Sequence, residues 1–372
     1  MAGNGNIDFF CLECYTGKSE VNTLQTEVIK LDRENMDLDA LKRAGEIIKS
    51  GGLVAFPTET VYGLGGDGLH EESSRKIYEA KGRPSDNPLI VHVADMEHLE
   101  KIVKKVPKAA YKLAEAFWPG PMTMILEKND LVPYGTTGGL DTVAIRMPSD
   151  PIALELIRQG GGYIAAPSAN TSGRPSPTTA QHVYEDLQGK IPMILDGGAV
   201  TIGLESTIVD LTEEIPTILR PGFISLDMVQ AVLGEAQIDR GLIANDSNIH
   251  PKAPGMKYRH YAPKASMVLV EGAQDKVITY INEEAKKKRE QGLRIGIMAT
   301  DESKELYKAD VVISVGSRIS MDSVAHNLFR ALRDFDEENV DFIYSESFDT
   351  SGYGFAVMNR LLKAAGHQVV KL

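Results

Sequence analysis

Hydroxyl, amide and guanidinium groups recur at the ends of short apolar runs in the first 225 residues of this chain. Leu53-Val54-Ala55-Phe56 runs into Pro57-Thr58-Glu59-Thr60. The basic turn Lys81-Gly82-Arg83-Pro84 leads to Asn87 and the run Leu89-Ile90-Val91-His92-Val93. Tyr163-Ile164-Ala165-Ala166 runs into Pro167-Ser168-Ala169-Asn170, and Thr217-Ile218-Leu219 ends at Arg220-Pro221-Gly222. Apolar strands supply rigidity, and the groups at their ends supply hydrogen bonds to something polar and anionic. A core alone does not need that chemistry repeated. The pattern points to one shared site for a phosphate-bearing ligand.

Taken singly, each residue has a plainer reading. Thr60 alone reads as a turn-capping threonine. Lys81 and Arg83 follow a helical segment at 73–80, where cations suit the helix dipole, but a guanidinium also suits a bidentate clamp on phosphate. His92 sits in an apolar strand, where a lone histidine is more often packed than catalytic. Arg146 ends the run Asp141-Thr142-Val143-Ala144-Ile145-Arg146. A buried arginine needs an anionic partner, and a substrate carboxylate would serve. Ser168-Ala169-Asn170 is followed by Arg174-Pro175-Ser176, where small residues permit close approach of a ligand. Glu205-Ser206-Thr207 opens another strand. Cys11 and Cys14 form a lone C-x-x-C without the second pair a structural zinc needs. Gly17-Lys18-Ser19 lacks the glycine a phosphate loop requires, because Leu12 stands there.

The elements that would hold these groups follow from periodicity. Leu38, Leu41, Ala44, Ile47 and Ile48 mark an amphipathic helix over 37–49, stopped by Gly51-Gly52. Strands are expected at 53–56, 89–94, 122–126, 143–147, 163–166, 193–195, 207–211 and 217–219. Helices fall at 73–80, 107–117, 151–158 and 179–187. The spacing is too irregular for simple alternation, so a mixed, partly antiparallel twisted sheet is expected. After about residue 236 the chain becomes polar and turn-rich. Ala253 to Pro263 then packs Lys257, Tyr258, Arg259, His260 and Tyr261 between prolines. From Met267, strands at 267–271, 294–298, 311–315 and 341–345 alternate with helices near 273–290, 302–307, 322–335 and 354–365. That alternation implies a small parallel sheet with helices on both faces, in a structural or gating role.

Composition bounds the answer. A chain of 372 residues suggests two domains, and 42% hydrophobic with 25% charged residues is that of a globular protein. No apolar run approaches the roughly 18–20 residues that cross a bilayer. Two cysteines and an N-terminus without a basic, apolar leader argue for a reducing, cytoplasmic setting. The net charge of −12 argues against indiscriminate nucleic-acid binding.

Together the motifs resemble a known family. Pro57 to Gly65, Lys81 with Arg83, Asn87 to His92, Trp118-Pro119-Gly120-Pro121, Ser168-Ala169-Asn170, Glu205 to Ile208 and Leu219 to Gly222 look like the YrdC-like domain of L-threonylcarbamoyladenylate synthases. Pro254 to Pro263 and the segment C-terminal to them resemble the longer, two-domain branch. The resemblance starts at about residue 28, leaving 1–27 outside it as an N-terminal extension, and implies a mixed twisted-sheet YrdC-like α/β catalytic domain at 28–239. It also implies a linker or lid at 240–265 and a smaller Rossmann-like parallel α/β accessory domain at 266–372.

The activity implied is that of a nucleotidyltransferase. L-threonine, bicarbonate and ATP, with Mg²⁺ on the phosphates, would give threonylcarbamoyl-AMP, pyrophosphate and water. The product would pass to the tRNA threonylcarbamoyl transferase machinery, for adenosine next to the anticodon. Carried over by motif, Thr60, His92, Arg146, the Ala166 backbone and Ser206 would hold threonine. Arg83, Asn87, Thr142, Ser168, Ser176 and Arg220 would hold ATP, with Lys81 close by. Lys257, Tyr258 and Tyr261 would form a lid. No stable nucleic-acid complex and no membrane association are expected. Two other readings stay open: a carbamoyl-phosphate-dependent carbamoyltransferase and an RNA-binding module.

Overall fold

The structure, a computed structural model, describes residues 24–244 and 260–372. Cys11, Cys14 and the expected lid residues Lys257 and Tyr258 lie outside these residues. Strands between Glu27 and Ile238 form one eleven-stranded sheet. Its order is Glu27–Lys30, Met193–Asp196, Val54–Phe56, Gly63–Asp67, Ile164–Ala165, Ile90–His92, Thr142–Arg146, Met122–Glu127, Thr207–Asp210, Thr217–Arg220 and Gln237–Ile238. Parallel and antiparallel pairs mix along it, as the irregular spacing implies.

The helices start where side chains can cap them. Asp37 accepts from the Ala40 amide ahead of Leu38–Lys49. Asp150 accepts from the Ile152 amide at 2.9 Å, with Pro151 opening the helix Pro151–Gln159. Such caps satisfy backbone donors that the first turn leaves open. The helices Leu38–Lys49 and Pro151–Gln159 bury Leu41, Ala44, Ile48, Leu156 and Ile157 against one flank of the sheet.

Several elements escape the sequence reading. Gly63–Asp67 reads as a turn but is a strand, paired on both sides. Its glycines carry no periodicity, and they are there because the sheet is tight. A Cβ on Gly65 would lie 2.8 Å from Ile164 Cγ2 and 2.9 Å from Phe56. Met96–Ile102 and Leu226–Leu233 are helices capped by Asp95 and Ser225. The helix expected at 302–307 is a single 3₁₀ turn, Lys304–Leu306. The strands Glu27–Lys30 and Val369–Lys371 are too short to carry a pattern.

The second sheet has five parallel strands in the order Val311–Ser314, Ile295–Ala299, Phe342–Glu346, Ser266–Glu271 and Val369–Lys371. Alternate residues serve its two faces. Val270, Ile295, Ile297 and Tyr344 pack on the helix Gln274–Glu290. Met267, Leu269, Met298 and Ile343 pack on Met321–Glu337 and Tyr353–Ala364. Val61 and Leu204 of the first unit join that second cluster, so the two units share a core. No described helix is long and apolar enough to cross a membrane.

Candidate active site

Sheet register builds the floor of the site. His92 pairs with Arg146 across parallel strands, and Arg146 pairs with Thr123 across antiparallel ones. Partners in register share one face, with neighbouring strands roughly 4.8 Å apart. Thr123 Oγ1 lies 2.8 Å from Ser206 Oγ, at the mouth of the next strand. Four polar side chains thus run in a row on a face otherwise apolar.

Above the row stands the turn Pro57 to Tyr62. The Thr58 hydroxyl receives the amides of Thr60 and Val61 and donates to the Val61 carbonyl, which fixes the turn. Arg146 Nη1 donates to Thr60 Oγ1 at 2.9 Å, and Nη2 lies 2.8 Å from Glu59. The anionic partner that the sequence assigns to a substrate is therefore already present as Glu59. His92 Nδ1 meets the Ile90 carbonyl oxygen at 3.1 Å. Burial first, and then the Arg146 charge, pushes His92 down to about 3, so its ring is neutral at physiological pH.

The groups so framed surround one narrow cleft. Thr60, Arg83, His92, Arg146, Ala166, Ser168, Ser176, Ser206, Arg220 and Tyr261 all line it. Arg220 donates through Nε to the Ser206 carbonyl and through Nη2 to its hydroxyl, both at 3.0 Å. Its turn needs Gly222, where a Cβ would lie 2.5 Å from the Thr207 nitrogen. Burial lowers the Arg220 guanidinium to about 10, and Glu205 opposes that shift. Glu205 itself would be raised by burial, but Arg360, Arg220 and Ser176 bring it below the usual carboxylate value.

Three expected ligands stand off the lining. Lys81 is buried behind the Ser168 turn, with Nζ donating to the carbonyls of Ser168 and Asn170. Burial, and then Arg83, holds this amine well below its ordinary value. Asn87 is fully buried, and its side-chain amide has no hydrogen-bond partner among the described residues. A buried amide left so is costly, and a ligand or water would complete it. Thr142 lies at the far end of its strand, four residues and roughly 13 Å from Arg146 at the strand rise.

The sequence reading missed Glu59, Thr123, Glu205 and His260 as site groups. Glu59 and Glu205 had one signal, a carboxylate beside an otherwise hydroxyl-rich strand end. His260 and Tyr261 come from the far side of the linker. Burial, and then Arg83, lowers His260 to about 3. Tyr261 adopts φ +64° and stacks on Phe329 at 5.0 Å, while its phenol is raised to about 12, by burial first and then by Glu205. Among the described residues no group of three or more His, Cys, Asp and Glu could hold a metal ion.

Comparison with known proteins bears on this geometry. One family model, described as Telomere recombination, matches residues 46–222. A second, Threonylcarbamoyl-AMP synthase, C-terminal domain, matches 224–366. A threonylcarbamoyl-AMP synthase of Pyrococcus abyssi is 49% identical over 340 residues, 91% of this chain and 98% of that protein. The chain belongs to the threonylcarbamoyl-AMP synthase family. Another member, from Bacillus subtilis, is 49% identical over 332 residues, 89% of this chain and 94% of the relative. The crystal structure of P. abyssi Sua5 complexed with L-threonine is similar along almost the whole chain. It matches with TM-score 0.88 and 48% identity, covering 93% of this chain and 100% of that one. Family membership explains why two sheet units share one cleft: both family models are needed to span its lining, from Thr58 to Tyr261.

Proposed function

We propose that this chain is a threonylcarbamoyl-AMP synthase, an enzyme that condenses L-threonine, bicarbonate and ATP to threonylcarbamoyl-AMP, pyrophosphate and water. The observation that carries the reading is the Arg146–Thr60 corner of a cleft that also gathers Arg83 and Arg220. One end suits an amino-acid carboxylate and the other suits phosphates. The resemblance to a Sua5 structure complexed with L-threonine supports the same assignment.

In this reading Thr60, Arg146, His92, Ser206 and the Ala166 backbone hold threonine. Arg83, Thr142, Ser168, Ser176, Arg220 and the open amide of Asn87 hold ATP, and Lys81 supports the Ser168 turn from behind. Mg²⁺ would come bound to the phosphates of ATP, where it would offset their charge. The threonine amine forms a bond to the carbon of bicarbonate, and water leaves. A carbamate oxygen then attacks the α-phosphate, and the bond to the β-phosphate breaks with pyrophosphate leaving. Two anions must meet, so fixed cations on both sides supply most of the acceleration. Neutral His92 adds no second cation beside Arg146, whose charge Glu59 already offsets in part. The product serves a tRNA threonylcarbamoyl transferase machinery in the cytoplasm, a setting that the low cysteine count favours. Tyr261, already at the cleft wall, helps to exclude water.

Pyrophosphate release from ATP tests the reading, measured with and without L-threonine and bicarbonate. Release that requires both is expected. Equal turnover with carbamoyl phosphate in their place overturns it. Filter binding with tRNA across salt is expected to show no stable complex.

A further inference from the structure

Two arginines of the second sheet unit are buried in carboxylates of the first. Arg333 reaches both oxygens of Asp186, at 3.2 and 3.0 Å, and the Pro175 carbonyl at 2.7 Å. Arg360, on the helix Tyr353–Ala364, is 0% exposed. Its Nε donates to Glu205 Oε2 at 3.1 Å, and its Nη1 donates to the Pro221 carbonyl. The other Glu205 oxygen accepts from the Ser176 hydroxyl at 2.5 Å. Pro221 comes directly after Arg220, and Glu205 precedes Ser206.

We propose that Arg360 is a positioning residue for the phosphate end of the cleft, acting through Glu205 on Ser176 and through Pro221 on Arg220. The inference rests on the reading that this end binds ATP. Its physical basis is competition for a buried carboxylate. Glu205 is 6% exposed, and a buried charge takes whatever cation it can reach. Arg220 now directs its donors to Ser206. With Arg360 present, Glu205 is neutralised from outside the cleft, and Arg220 keeps its guanidinium plane beside the phosphates. Without it, Glu205 draws Arg220 away and releases Ser176. The bidentate geometry matters as well as the charge, because one guanidinium joins two separate turns. A domain that touches no substrate through this residue thereby sets the shape of the nucleotide site.

The test uses the full chain, with Michaelis constants for ATP and threonine and calorimetric ATP binding. Arg360→Lys keeps the charge but cannot span both acceptors, and it is expected to raise the ATP constant at least about threefold. Arg360→Gln is expected to raise it at least about tenfold, with the threonine constant within about twofold in both variants. Adding Glu205→Gln to Arg360→Gln removes the stranded charge and is expected to bring ATP affinity back toward the Arg360→Lys value. His326→Ala, which removes a 3.0 Å contact to the Thr201 carbonyl at the same interface, serves as the docking control. It is expected to leave the ratio of the two constants unchanged. The inference is overturned if the ATP and threonine constants rise together, or if neither rises while the melting temperature falls. If Arg360→Gln does not fold, Arg360→Lys decides by the same split. A wild-type chain without threonine- and bicarbonate-dependent pyrophosphate release would instead sink the functional reading.

Discussion

Lys81 Nζ donates to the Ser168 carbonyl oxygen at 2.6 Å, from a position buried behind the loop that lines the cleft. The Lys81 carbonyl in turn accepts from the Ser172 amide at 2.9 Å. This lysine holds the 168–172 loop in shape, while Arg83, two residues on, lines the cleft itself. Lys81→Met strands the Ser168 and Asn170 carbonyls and is expected to cost about 1–3 kcal/mol. Thermal unfolding checks that cost. Arg83→Lys leaves stability near wild type but loses the bidentate fork, so the ATP requirement rises sharply. Wild-type kinetics in Arg83→Lys would reduce Arg83 to a helix-end cation.

Arg146 serves two partners, the Thr60 hydroxyl and the Glu59 carboxylate. Arg146→Ala leaves Glu59 buried without its cation, and breaking such a pair costs about 3–5 kcal/mol. It should also raise the threonine requirement far more than the ATP requirement. Adding Glu59→Gln should restore much of the stability and none of the threonine affinity. Urea unfolding beside steady-state kinetics separates the two roles. A rise confined to ATP would misassign the residue.

Acid should destabilise the protein in a window set by its buried histidines. Burial pushes His92 and His260 down to about 3 and His182 down to about 4, against an ordinary value of 6.5. Between those values the unfolded chain binds protons that the native one refuses, so stability falls as pH drops from 6.5 toward 3. At pH 5 each such histidine costs about 2 kcal/mol. His92→Gln should make the loss between pH 7 and pH 5 smaller by about that amount. Denaturant midpoints at the two pH values measure it.

Removing the second unit should damage the site more than the fold of the first sheet. Deleting residues 253–372 takes Arg333 from Asp186, Arg360 from Glu205 and Tyr261 from the cleft lining. It also exposes Val61 and Leu204, now 6% and 0% accessible. The truncated chain should bind ATP weakly and make less than about a tenth of the product. Full activity of the truncated chain would show that the second unit is only a tether.

Much of this architecture is local and therefore readable in the chain. The helix at Leu38–Lys49 announces itself by its apolar spacing and its Asp37 cap. Strand ends carrying Thr60, Ser168 and Arg220 stand out because a core has no use for hydroxyls and cations there. Turn chemistry and hydrophobic period depend on neighbours within a few residues, and a sequence shows those neighbours directly. Gly63–Asp67 was hidden because glycines have no side chain to show a period.

Register and docking are different, because they join residues far apart in the chain. That His92, Arg146 and Thr123 share a row follows from pairing between strands, and a slip of one residue would send them to opposite faces. That Glu59 neutralises Arg146, and Arg360 neutralises Glu205, follows from which buried charges the fold presses together, across 87 and 155 residues of chain. Electrostatics in a desolvated interior obeys distance in space. The sequence by itself determined which groups could do the chemistry. The tertiary structure alone decided which line the cleft, which face each other, and that Glu205 and the Pro221 carbonyl meet an arginine from the second sheet unit.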